Sequence, residues 1–173
     1  MKNSIHSTLF LIFCVLILLT VQACKPKPII FYGYTFADKY NLEIPDYFNK
    51  ESEGKWLTTK DNGVQWIKMF ELKKKIGDLE QQMTKFVSLS TGNLYDGMIL
   101  REKDTLNFNG YKCLFCFYNK NNNANKTGYP VMTYIIFAII QDKQNFMVFH
   151  SFSLGQNNYE EMKKSIMSIK PKN

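Results

Sequence analysis

The chain has 173 residues, of which 22 are basic and 15 acidic, so its formal charge is +7. Apolar residues make up 45% and aromatic ones 15%, with only 9 glycines, 5 prolines and 4 cysteines. That balance excludes a disordered, a collagen-like or a disulfide-dense chain and leaves one ordinary globular domain.

The first predicted element is an export signal over residues 1–23. Lys2 and the start amine give a short positive stretch, and residues 9–19 then run without a polar side chain, the Cys14 thiol being the least apolar. This length suits the apolar region of a signal peptide and falls short of the roughly 20 residues a membrane-crossing helix needs. Val21-Gln22-Ala23-Cys24 resembles the lipobox of bacterial lipoproteins: an aliphatic, a variable and a small residue before an invariant cysteine. The resemblance implies that Cys24 takes a diacylglyceryl group and becomes the first mature residue. An ordinary secretory signal with an incidental cysteine is the alternative.

Residues 24–33 read as the lipidated N-terminus and a tether, because Lys25-Pro26-Lys27-Pro28 favours an extended chain. Lys25 is not the Asp that retains enteric lipoproteins in the inner membrane, and no acidic run of the kind that directs export to the cell surface follows. The resemblance therefore implies the periplasmic face of the outer membrane. Nucleic acid is not an expected partner of an exported chain whose one lysine run, Lys73-Lys74-Lys75, lacks interleaved aromatic residues. Attraction to anionic headgroups is another use for the positive charge.

Residues 34–173 read as a single domain. Phe36, Tyr40, Leu42 and Ile44 recur at even spacing, which predicts one half-buried strand over 36–45 with a bend or bulge near Asp38. A short helical turn over 45–48 follows. Strands over 56–59 and 64–72 flank an Asp61-Asn62-Gly63 turn and form a hairpin. A helix over 78–89 has Leu79, Met83, Phe86 and Val87 on one face and ends near Ser90-Thr91-Gly92-Asn93. Strands over 98–108 and 111–118 are joined by Asn109-Gly110, and an Asn-rich loop over 119–128 leads to 131–140, apolar enough to be a central strand covered on both faces. A strand over 146–154 follows. The last helix starts at Asn158, with Glu161 placed for a capping box and Tyr159, Met162, Ile166 and Ile169 forming its apolar stripe, and Pro171 ends it.

This order predicts an α+β domain with an antiparallel β-sheet flanked by helices. The alternating strand that closes on Leu42-Glu43-Ile44-Pro45 before an aromatic turn resembles the start of PsbP-like domains, and the later hairpin, helix, Asn109-Gly110 meander and closing helix follow the same pattern over residues 34–169. The resemblance implies an accessory or binding module and brings no catalytic motif.

Cys113-Leu114-Phe115-Cys116 has the CxxC spacing of redox and zinc sites, but on a strand the two thiols face opposite ways. Their Cα atoms would stand about 10 Å apart, too far for a disulfide. His150, the only histidine beyond the signal, has Ser151 and Ser153 beside it, yet alternation separates His150 from its neighbour and no GxSxG elbow is present. Two packed thiols and a sheet histidine are the favoured reading, with no metal and no cofactor. Asp104-Thr105-Leu106 resembles the acceptor site for O-glycosylation in one bacterial phylum, with Thr105 as the acceptor, and Asn125-Lys126-Thr127 is a eukaryotic sequon that a bacterial lipoprotein would leave unused.

The expected function is that of a non-enzymatic, lipid-anchored envelope protein that binds a protein or small ligand. An immunity lipoprotein that neutralises a toxin delivered to the periplasm is one alternative. An envelope hydrolase or thiol protein using His150, Cys113 or Cys116 is another.

Overall fold

The computed structural model describes residues 28–58, 64–72, 77–90, 97–122, 131–143 and 145–172. The predicted signal, Cys24, the Asp61-Asn62-Gly63 turn, the lysine run, the breaker cluster after Ser90, the sequon and most of the Asn-rich loop lie outside the described residues. The described elements are β1 (Phe31–Phe36), β2 (Tyr40–Pro45), β3 (Asn49–Ser52), β4 (Lys55–Thr58), β5 (Gln65–Glu71), α1 (Leu79–Ser90), β6 (Ile99–Phe108), β7 (Tyr111–Asn122), β8 (Val131–Asp142), β9 (Asn145–Leu154), α2 (Tyr159–Met167) and β10 (Lys170–Pro171). They form an α+β fold in which a seven-stranded antiparallel sheet, ordered β3-β4-β5-β9-β8-β7-β6, packs against a small sheet ordered β1-β2-β10.

The continuous run of β6 to β9 follows directly from the sequence. Asn109 and Gly110 take the left-handed conformations, φ 48° and 82°, that a tight hairpin needs. β8 lies inside the sheet between β7 and β9, and its residues 135–140 are buried on both faces, which is why they are all apolar. The face carrying Cys113, Phe115, Ile136, Ile140, Met147 and Phe149 meets the small sheet and α2 through Tyr40, Leu42, Ile44, Met162 and Ile166. The opposite face, with Leu114, Cys116, Phe137, Ile139 and Val148, is covered by Leu79 and Met83 of α1. Burying each such side chain contributes about 1.5–3 kcal/mol, so both layers are needed to hold the sheet.

Five local expectations are corrected. The segment 36–45 is not one bent strand: the chain reverses through Ala37 and Asp38, both at φ 52°, so β1 and β2 pair as a hairpin in the register Phe36↔Tyr40. β1 also takes in residues 31–33, which the sequence assigns to the tether. Residues 45–48 form no helix. A single turn, closed by the Phe48 N–H on the Pro45 carbonyl at 3.1 Å, leads instead into the edge strand β3. The capping box forms at α1, where the Gln81 N–H donates to Asp78 Oδ1 at 2.9 Å and the Asp78 N–H donates to Gln81 Oε1 at 3.2 Å. At α2 the Asn158 side chain makes no cap, because it is buried and donates to Gln65 Oε1 at 3.1 Å. The last helix ends at Met167, before Pro171, and Lys170 and Pro171 pair with β2 as a third strand, at an edge where a proline is tolerated.

Candidate functional site

The side chains that the sequence singles out for chemistry do not converge. His150 projects from β9 toward α1, where its ring stands edge-on to Trp66 at 4.7 Å and to Phe137 at 5.4 Å. It is only 7% exposed, and burial, aided by the charge of Lys68 opposite it on β5, lowers its pKa to about 3. The imidazole is therefore neutral. Ser151 and Ser153 alternate to the other face, where the Ser153 hydroxyl donates to the Gln156 carbonyl. Neither serine faces the histidine, so no nucleophile and base are paired there.

Cys113 and Cys116 are free thiols, buried on opposite faces of β7. Burial pushes the Cys113 thiol up to about 12, with Cys116 and Asp104 acting in the same direction. Cys116 is also raised by burial, an effect that the Tyr118 hydroxyl and Lys103 partly offset. Neither is a ready thiolate. Among the described residues no group of three His, Cys, Asp or Glu side chains could hold a metal ion.

Thr105 is exposed on β6, and its N–H donates to Asp104 Oδ1 at 2.7 Å. It lines a cleft of about 290 Å³ with Asp78, Leu79, Glu80, Lys112 and Gln141.

A partly exposed polar cluster lies on the other face, between β6 and α2. A bulge in β6 between Leu100 and Glu102 resets the alternation, so that Glu102 stands opposite Phe117 and points toward α2. Tyr159 and Lys163, one turn apart on α2, meet it there. The Tyr159 hydroxyl lies 2.8 and 2.7 Å from the two carboxylate oxygens, and Lys163 Nζ donates to Glu102 Oε1 at 3.0 Å and to the Tyr159 hydroxyl at 2.8 Å. Aromatic rings frame the trio. Phe117 lies 4.9 Å from Tyr159 and stacks on Tyr134 at 6.3 Å, and the Lys163 ammonium sits 5.4 Å above the Phe115 ring.

The electrostatics of this cluster hold its groups in their ordinary protonation states. The Tyr159 hydroxyl and then Lys163 hold the Glu102 carboxyl below its usual range, while Tyr159 and Glu102 raise Lys163. Burial and Glu102 raise Tyr159 against the opposing effect of Lys163. Carboxylate, phenol and ammonium thus each keep the protonation state that neutral pH gives them, and none is poised as an acid or base. The side chains of Glu102 and Lys163 remain 35% and 25% exposed. The i, i+4 spacing of Tyr159 and Lys163 was visible in the sequence, whereas the bulge that brings Glu102 to them leaves no sequence mark.

No protein-family profile matches the chain, and neither does any curated protein sequence. Solved structures do match in shape. The Ran-binding protein Mog1p of Saccharomyces cerevisiae is 11% identical, with 82% of this chain and 95% of that one covered at a TM-score of 0.50. A point mutant of Mog1 is 12% identical, with 81% and 95% covered at 0.51. LpqN of Mycobacterium tuberculosis, described as involved in cell envelope biogenesis, is 14% identical, with 84% and 92% covered at 0.47. The Mog1 structures define the fold of this chain as Mog1/PsbP-like, in agreement with the resemblance read from residues 34–169.

Proposed function

We propose that the protein is a non-enzymatic, lipid-anchored protein of the bacterial cell envelope, held through Cys24 at the periplasmic face of the outer membrane, whose domain binds a protein or small ligand at the Glu102–Tyr159–Lys163 cluster. One contrast carries this reading. The side chains that the sequence singles out for nucleophilic or acid–base chemistry, Cys113, Cys116 and His150, are buried and held neutral, while an ion pair and a phenol framed by aromatic rings are left partly exposed. Half-exposed aromatic and charged side chains are the usual anchors of recognition surfaces. A precedent exists for protein recognition on this fold, since the yeast protein that shares it binds Ran. The lipobox-like Val21-Gln22-Ala23-Cys24 supports the anchor.

Chemical crosslinking and pull-down from intact cells tests the reading. A variant combining Cys113→Ala, Cys116→Ala and His150→Gln, with its fold checked by thermal melting, should keep the crosslinked partner. A folded Lys163→Gln, Tyr134→Ala variant should lose it. The opposite pattern would overturn the proposal.

A further inference from the structure

Among the described residues seven large apolar side chains are exposed, and three of them, Ile29, Ile30 and Tyr32, fall within four consecutive positions. The cause is geometric. By register Tyr32, Tyr34 and Phe36 of β1 stand on the side of the small sheet that faces the core, opposite Ile44, Leu42 and Tyr40. Phe36 is buried and Tyr34 packs on Trp56, but β1 runs out past the core at its beginning, so Tyr32 is 53% and Ile30 54% exposed. The overhang is held in place. Phe31 pairs with Pro45, and the Ile30 carbonyl accepts the Asp46 N–H at 2.8 Å. On its flank Lys164 Nζ sits 4.0 Å above the Phe31 ring.

We infer that this overhang is a second membrane contact, seated in the headgroup layer of an anionic bilayer. The inference rests on the proposed lipid at Cys24. Ile29 is five residues beyond Cys24, and a fully extended chain of that length spans at most roughly 18 Å. The anchor therefore holds the patch within reach of the headgroups. Its chemistry fits that layer: two exposed aliphatic side chains and a half-exposed tyrosine, with Lys164 beside them in space. Asp46 and Glu43 are the acidic residues paired through their backbones with this end of the hairpin, and both are exposed to solvent. Two contacts, one covalent and one adsorbed, fix the orientation of the domain, which a lipid on a tether alone does not.

The full lipidated chain in vesicles of phosphatidylethanolamine and phosphatidylglycerol tests this. A fluorophore is placed in turn at Ile30→Cys and at Asp38→Cys, the far end of the same hairpin, roughly 20 Å of strand away. Nitroxide-bearing lipids should quench the Ile30 position several-fold more strongly than the Asp38 position. Adding Tyr32→Ser and Ile29→Ser should remove that difference while the protein still floats with the vesicles. A floating protein with equal quenching at both positions overturns the membrane contact and leaves the anchor standing. If the protein does not float, the anchor reading fails. The contact is then judged on phosphatidylglycerol vesicles alone, where unlipidated protein must lose about tenfold in affinity on Ile30→Ser, Tyr32→Ser substitution. No loss, or a concentration-dependent dimer through the same residues, overturns it.

Discussion

Glu102 and Lys163 form an ion pair at 3.0 Å between an edge strand and the last helix, with the Tyr159 hydroxyl between them. Glu102 is held below its usual range, so it contributes stability above the unfolded carboxyl value and loses it as pH falls through the lower folded value. The exposed third of the side chain screens the pair, which limits the effect. Glu102→Gln is expected to cost about 1 kcal/mol at pH 7, and the cost should shrink as pH falls through and below the ordinary carboxyl range, as read by urea unfolding across that range. A cost that does not change with pH would contradict the ionised pair.

His150 makes a second acid-side contribution. Its pKa is lowered to about 3, so between that value and the unfolded value of about 6.5 the unfolded chain binds the extra proton and stability falls as pH falls. Stability of His150→Gln should therefore depend less on pH between about 6.5 and about 4 than that of the native protein. In NMR the imidazole carbons of the folded protein should show no titration near neutrality.

The two thiols give a kinetic test. Cys113 and Cys116 are buried, and both are raised above the ordinary thiol value. In protein lacking residues 1–24 neither should react with a disulfide reagent at pH 8 on the timescale of a free cysteine, and both should react at once in denaturant. Fast labelling of either thiol in the folded protein would reopen a thiol-based activity.

Gly54 tests the hairpin β3–β4. Its φ is +66°, its carbonyl accepts the Met69 N–H at 2.7 Å, and a Cβ there would stand 2.4 Å from the Met69 carbonyl oxygen. Gly54→Ala is expected to destabilise by about 3 kcal/mol, because strain and clash act together. Gly33, with nothing within 4 Å of the added atom, should accept alanine within about 0.5 kcal/mol. Thermal melting of the two variants separates these outcomes.

The parts of the fold that could be read from the sequence are those where burial writes a period into it. The apolar run of β8, the Asn109-Gly110 turn, and the stripes Leu79-Met83 and Met162-Ile166 each follow from a face that must be covered. The parts that could not be read are set by pairing instead. β3 is Asn-Lys-Glu-Ser, exposed throughout, and is a strand only because β4 binds its edge. The β1–β2 reversal uses Ala37 and Asp38 where a glycine or asparagine would have marked it, so Asp38 looked like a defect in one strand. The polar cluster was half legible: Tyr159 and Lys163 share a helix face, but Glu102 joins them only through a bulge. Asn158 kept its place at the start of α2 while its side chain served the buried Gln65 instead of the helix.

The central claim is that residue 24 carries the lipid that holds this domain in the envelope. Mass spectrometry of the N-terminal peptide of the protein isolated from its own cells tests it most directly. The expected peptide begins at Cys24 and carries a diacylglyceryl group, and Cys24→Ala removes the protein from the membrane fraction. A peptide in which residue 24 is internal, or is the first residue and unacylated, would contradict the account.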